Sequence, residues 1–130
     1  AHLGLKPQSV HKIGGFKVQG REPDQVQEML ESAQRLQDAG ADIVLLDCFP
    51  NEAGQMMTAA LDVPVIGSGA GPHVDGQSLV LYDILDITQG RTPRFVKNVQ
   101  AGRDAPLAAI QAYVQAVKDG TYPEPEHCFS

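Results

Sequence analysis

Apolar positions along the 130 residues fall into two kinds of segment, short continuous runs and longer stretches with helical spacing. Ala41-Asp42-Ile43-Val44-Leu45-Leu46 is of the first kind and has the apolar character of a buried strand. From Asp24, with Pro23 just before it, Val26, Met29, Leu30, Ala33 and Leu36 share one face at helical spacing, and Gly40 supplies the stop. Asn51 is placed to cap a short helix whose apolar face is Ala53, Met56, Met57 and Ala60. Val63-Pro64-Val65-Ile66 reads as the next strand. Asp104-Ala105-Pro106 opens a last helix with a stripe of Leu107, Ile110, Tyr113, Val114 and Val117, and Gly120 ends it. Between these elements, Leu3-Gly4-Leu5 is expected to be the end of a strand. Gln8 to Arg21 lacks a period and is expected to be a long loop of the kind that often binds ligands. Leu79 to Leu85 fits a helix or a strand equally. Arg91 to Arg103 looks irregular, and the tail 121–130 is expected to be extended and draped over the surface.

The order strand, loop, helix, strand, helix, strand, possible strand, helix argues for an α/β protein with about four parallel strands and flanking helices. A (β/α)8 barrel takes about 250 residues, so residues 1–130 have the length and element count of roughly half of one. They are read as a single partial (β/α) barrel domain. An unclosed half would leave sheet edges and an apolar face without a partner.

Composition narrows the function. With 42% hydrophobic residues the chain can build a core, and a net charge of −6 offers no basic patch for nucleic acid. No apolar run approaches the length of a membrane span, and no basic-then-apolar signal pattern is present, so a soluble, cytoplasmic protein is expected. Cys48 and Cys128 form neither a CxxC motif nor a disulfide framework and are expected to be reduced, Cys48 as a buried structural thiol. His11, His73, Asp75 and His127 lack a metal-ligand spacing and are expected in surface or turn roles.

The chemistry centres on Asp47. The run 43–46 delivers this carboxylate to a strand's C-terminal end, where parallel α/β proteins carry their sites. It is either a reacting group or a charge that needs a partner. Gly67-Ser68-Gly69-Ala70-Gly71-Pro72 allows close backbone approach, but it lacks the Gly-Lys-Ser/Thr of a phosphate loop.

His2-Leu3-Gly4-Leu5, Pro7-Gln8-Ser9-Val10 and Gly14-Gly15-Phe16-Lys17-Val18-Gln19-Gly20-Arg21 strongly resemble the ketopantoate hydroxymethyltransferase family. The likeness continues through Pro64-Val65-Ile66-Gly67, Gly69-Ala70-Gly71, Asp75-Gly76-Gln77, Phe95-Val96-Lys97-Asn98 and Gly120-Thr121-Tyr122-Pro123. It covers the C-terminal half of the family's chain, a (β/α)8 barrel of the phosphoenolpyruvate/pyruvate type. The resemblance implies transfer of a hydroxymethyl group from 5,10-methylenetetrahydrofolate to 3-methyl-2-oxobutanoate, with Mg²⁺ stabilising the enolate and a carboxylate deprotonating carbon 3. It further implies cytoplasmic homo-oligomers of complete barrels. The family's base is a Glu in a segment matching Asp47-Cys48-Phe49-Pro50, which makes Asp47 the expected general base. His2 matches a substrate-contacting histidine. Ser68 stands where the family usually has Ile, facing the pocket, and is expected to touch substrate. Lys17 and Arg21 are candidates for the glutamate tail of the folate. The family's metal ligands lie in its N-terminal half, so no residue here is expected to bind the metal. Two other readings stay open, a silent fragment acting only through association and a divergent 2-oxoacid lyase or transferase.

Overall fold

In the computed structural model, which describes residues 1–130, four parallel strands lie side by side in chain order: β1 (His2–Gly4), β2 (Val44–Asp47), β3 (Val65–Ser68) and β4 (Gly76–Gln77). Strands in sequential order joined by right-handed crossovers put their helices on one side of the sheet. The helix α2 (Pro23–Asp38) makes the first crossover and α3 (Asn51–Ala60) the second, and both pack on that side. Leu3, Val44, Leu46 and Val65 point into this layer and are buried, together with Ala33 of α2 and Ala53 and Met57 of α3. The alternate residues His2, Leu45, Asp47, Ile66 and Ser68 point to the opposite face, which no helix of this chain covers, and are only half-buried. Parallel sheets are normally covered on both faces.

Helix α2 forms where its period predicts, with Pro23 as the first helical residue, Asp24 in the first turn and Arg35 in the last, as the helix dipole favours. The Gln37 side-chain carbonyl accepts from the N–H groups of Asp62 at 2.8 Å and Val63 at 3.3 Å, which joins the end of α2 to the turn before β3. Asp75 has a comparable task, because its carboxylate accepts from the Val65 N–H at 2.8 Å while its own N–H donates to the Val65 carbonyl. Beyond β4, the short α4 (Leu81–Ile84) and α5 (Pro106–Lys118) share a second small core of Ile84, Val99 and Ala109. No helix is long and apolar enough to cross a membrane.

Five expectations change. The segment Gln8–Arg21 starts with helical turns, a 3-10 turn at Pro7–Ser9 and α1 (Val10–Ile13), because Pro7 presets the helical φ. The fourth strand is Gly76–Gln77, while the ambiguous apolar stretch that follows supplies only one helical turn. Asn51 does not cap α3. Pro50 occupies the cap position and Asn51 is the first helical residue, its N–H donating to the Phe129 carbonyl at 2.9 Å. The tail from residue 121 is folded rather than draped, with a 3-10 turn at Pro125–His127 and buried Tyr122 and His127. The Tyr122 hydroxyl donates to the Phe95 carbonyl at 2.5 Å. His127 therefore has a core position, not a surface one, with its ring 5.6 Å from that of Tyr122.

Candidate active site

The C-terminal ends of β1, β2 and β3 are level. Gly4, Asp47 and Ser68 are partners in the parallel register, so the two polar side chains stand on neighbouring strands of the half-buried face. His2 lies two residues before Gly4 on that same face, and its Nε2 is 3.8 Å from the Asp47 Oδ2. That separation is too long for a hydrogen bond. The Nε2 atom is shielded from solvent and has no hydrogen-bond partner, and such groups in native proteins call for an explanation.

The backbone fixes these ends from three sides. Leu5 N–H donates to the Asp47 carbonyl, Cys48 N–H to that of Ser68 and Phe49 N–H to that of Gly69, at 2.9, 2.9 and 3.0 Å. Cys48 then turns the chain with φ at 54°, a left-handed conformation that is uncommon for a residue with a side chain and tends to occur at functional sites. The turn drives Phe49 into the core, where it is fully buried under β1. A side chain at Gly4, whose φ is 90°, would collide with the Phe49 ring and with the Asp47 carbonyl. Burial, followed by the charge and hydrogen bonding of Asp47, pushes the Cys48 thiol up to about 12. Such a shift disfavours the thiolate at neutral pH and with it a role as nucleophile.

Of the residues singled out from sequence, the structure thus brings together His2, Asp47 and Ser68. Lys17 and Arg21 remain solvent-exposed, although the loop that carries them touches the end of β2 through the Gln19 N–H, which donates to the Cys48 carbonyl at 3.1 Å. Sequence reasoning missed Phe49, Phe95 and Phe129. The only available signal was aromatic residues next to Asp47 and in segments otherwise rich in Gly and Pro.

A hard cation such as Mg²⁺ takes oxygen ligands in near-octahedral geometry. On the half-buried face Asp47 supplies one carboxylate and is flanked by an imidazole, so this face alone does not furnish that oxygen set. Elsewhere, ligand atoms of Glu124, Glu126 and His127 lie within 4.8 Å of one another. There the Lys97 ammonium already pairs with Glu124. Lys97 holds the Glu124 carboxyl below its ordinary value of 4.5, through their hydrogen bond first and their charges second. Because the folded value is the lower one, the pair contributes fully above the ordinary value and is lost as pH falls through the depressed one. Amide protection of residues 122–129, taken relative to the intrinsic exchange rate at each pH, should therefore fall on acidification through that range. In a Lys97→Gln variant the step should be absent.

The sequence model described as ketopantoate hydroxymethyltransferase matches residues 1–125. A 3-methyl-2-oxobutanoate hydroxymethyltransferase of Chromohalobacter salexigens is 56% identical over 129 residues, which are 99% of this chain and 49% of that protein. The protein of the same name from Alkalilimnicola ehrlichii is 55% identical, over 99% of this chain and 47% of its own length. A 3-methyl-2-oxobutanoate hydroxymethyltransferase 2 of Hahella chejuensis is 52% identical over 130 residues, 49% of its length. The chain spans about half the length of the curated relatives it matches.

Proposed function

The chain belongs to the ketopantoate hydroxymethyltransferase family, and from that premise we propose that it is the C-terminal half of a (β/α)8 barrel of the phosphoenolpyruvate/pyruvate type. Completed by the half that precedes it, the barrel transfers a hydroxymethyl group from 5,10-methylenetetrahydrofolate to 3-methyl-2-oxobutanoate and yields 2-dehydropantoate. Support for the half-barrel is the one-sided sheet, whose second face carries Leu45 and Ile66 beside His2, Asp47 and Ser68. In a closed barrel that face is the filled interior, and the strands' C-terminal ends carry the chemistry.

The observation that carries the reading is the meeting of His2 and Asp47 at those ends. Asp47 takes the proton from carbon 3 of the oxoacid, and the electron pair of the broken C–H bond moves into the enolate. Water opens the methylene bridge of the folate, breaking its two C–N bonds and freeing tetrahydrofolate, and carbon 3 of the enolate attacks the one-carbon unit so released at the formaldehyde level, whose oxygen takes a proton and becomes the new hydroxyl. His2, whose shielded Nε2 has no partner in the chain, donates to an oxygen of the oxoacid or to the new hydroxyl. The Ser68 hydroxyl, in register with Asp47, contacts substrate from the neighbouring strand. Lys17 and Arg21, exposed on the loop beside β2, meet the carboxylates of the folate tail. Ligands for Mg²⁺ come from the other half. The working form is a cytoplasmic homo-oligomer of complete barrels.

The test uses the full-length protein in D₂O with Mg²⁺ and 3-methyl-2-oxobutanoate, followed by proton NMR. Loss of the carbon 3 proton signal is expected without folate, and product formation once the methylene donor is added. Absence of exchange would overturn the reading. Exchange confined to other 2-oxoacids would reassign the pocket to a divergent lyase or transferase.

A further inference from the structure

We propose that Phe129 is a positioning residue for Asp47, acting from the C-terminal strap on the ends of β2 and β3. The inference rests on the reading of Asp47 as the base. Phe129 forms a parallel bridge with Pro50, three residues after Asp47, and its carbonyl accepts from the Asn51 N–H at 2.9 Å. Its ring meets Phe95 edge-on, with centroids 6.2 Å apart and planes at 72°. Phe95 in turn lies against Gly69, where an added Cβ would strike its ring. Gly69 closes the circuit, because its carbonyl accepts from Phe49 N–H at 3.0 Å, on the residue before Pro50. The circuit Phe129, Pro50, Phe49, Gly69, Phe95 therefore encloses both strand ends that present Asp47 and Ser68.

The strap, residues 121–130, reaches this circuit from fixed anchors rather than as a loose end. Tyr122 is buried and bonded to Phe95, Lys97 pairs with Glu124, and the Arg94 Nε donates to the Glu126 carbonyl at 2.9 Å. A cleft of about 300 Å³ lies between the strap and the first turn of α3, lined by Asn51 and Glu52 on one side and by Pro123, Pro125 and Phe129 on the other. Asp47 is one methylene shorter than the Glu the resemblance places there, so its reach depends closely on where the strand end sits. A misplacement of about 1 Å at a reacting group can cost about 100-fold in rate.

The experiment measures kcat and KM for carbon 3 proton exchange in the full-length enzyme carrying Phe129→Ala, Phe129→Leu or Phe129→Tyr, each also combined with Asp47→Asn. Phe129→Ala is expected to lower kcat by roughly 10- to 100-fold with little change in KM. Phe129→Tyr, which preserves the edge contact, is expected to restore it. In the Asp47→Asn background the Phe129→Ala change is expected to cost nothing further, since the group it positions is gone. If Phe129→Ala fails to fold, Phe129→Leu, which keeps the apolar bulk and loses the aromatic edge, is judged by the same criteria. Parent-like kcat, or the same loss with and without Asp47, would overturn the inference. Those results differ from failure of the underlying reading, in which Asp47→Asn alone would exchange as fast as the parent.

Discussion

Asp47→Asn in the full-length enzyme should lower carbon 3 proton exchange by about 100- to 10,000-fold, the usual contribution of a positioned general base. The substitution is nearly isosteric. It keeps a polar group 3.8 Å from the His2 Nε2 and leaves the main-chain bonds of Leu5 and Cys48 intact, so folding should be preserved and the loss should appear in kcat. Asp47→Glu is the informative companion. It retains the carboxylate and changes only the reach, so its loss should be much smaller than that of the amide. Asn and Glu variants that both exchange at the parent rate would exclude proton transfer by this side chain.

Phe49→Ala should destabilise the protein by about 3–5 kcal/mol, read as a lower denaturation midpoint at unchanged slope. Phe49 has no exposed surface and is among the largest fully buried side chains. Its ring fills the space over Gly4 and approaches Gly20, so truncation leaves a cavity that the backbone cannot collapse into without breaking the β1–β2 pairing. Against a typical total of about 5–15 kcal/mol, that loss is large. Phe49→Leu, which keeps most of the volume, should cost considerably less. Exchange activity should fall along with stability, because the same residue follows the turn at Cys48 that aims Asp47.

The parts of this fold that were legible in sequence are those governed by local periodicity. Helix α2 appeared with its apolar face because Val26, Met29, Leu30 and Ala33 repeat at the helical period and do pack toward the core. Leu36 and Leu107 belong to the same stripes but stay exposed, since a period assigns a face and not the length of sheet available to cover it. The two-residue strand Gly76–Gln77 carries no apolar signal of its own. It pairs because the Asp75 carboxylate and main chain hold the segment against β3, a contact ten residues away in sequence. Asn51 looked like a helix cap by residue type. The helix starts one residue earlier, with Pro50 at the cap position, so the Asn51 side chain falls inside the first turn and its Oδ1 caps nothing. For the site, the strand-end position of Asp47 followed from the apolar run before it. The approach of His2 did not, because it depends on the register between strands separated by some forty residues.

Gly69 and Phe95 bear a further consequence. The backbone at residue 69 is left-handed, with φ at 69°, and the ring of Phe95 occupies the space where a side chain would begin. The two positions are thus not free to drift independently through evolution. Divergence to a smaller side chain at 95 would open room for Asn or Asp at 69, residues that tolerate such a backbone, whereas either change at 69 with the phenyl ring retained would be selected against. Covariation between these two columns among homologues would then be a historical record of the strap's contact with the strand ends.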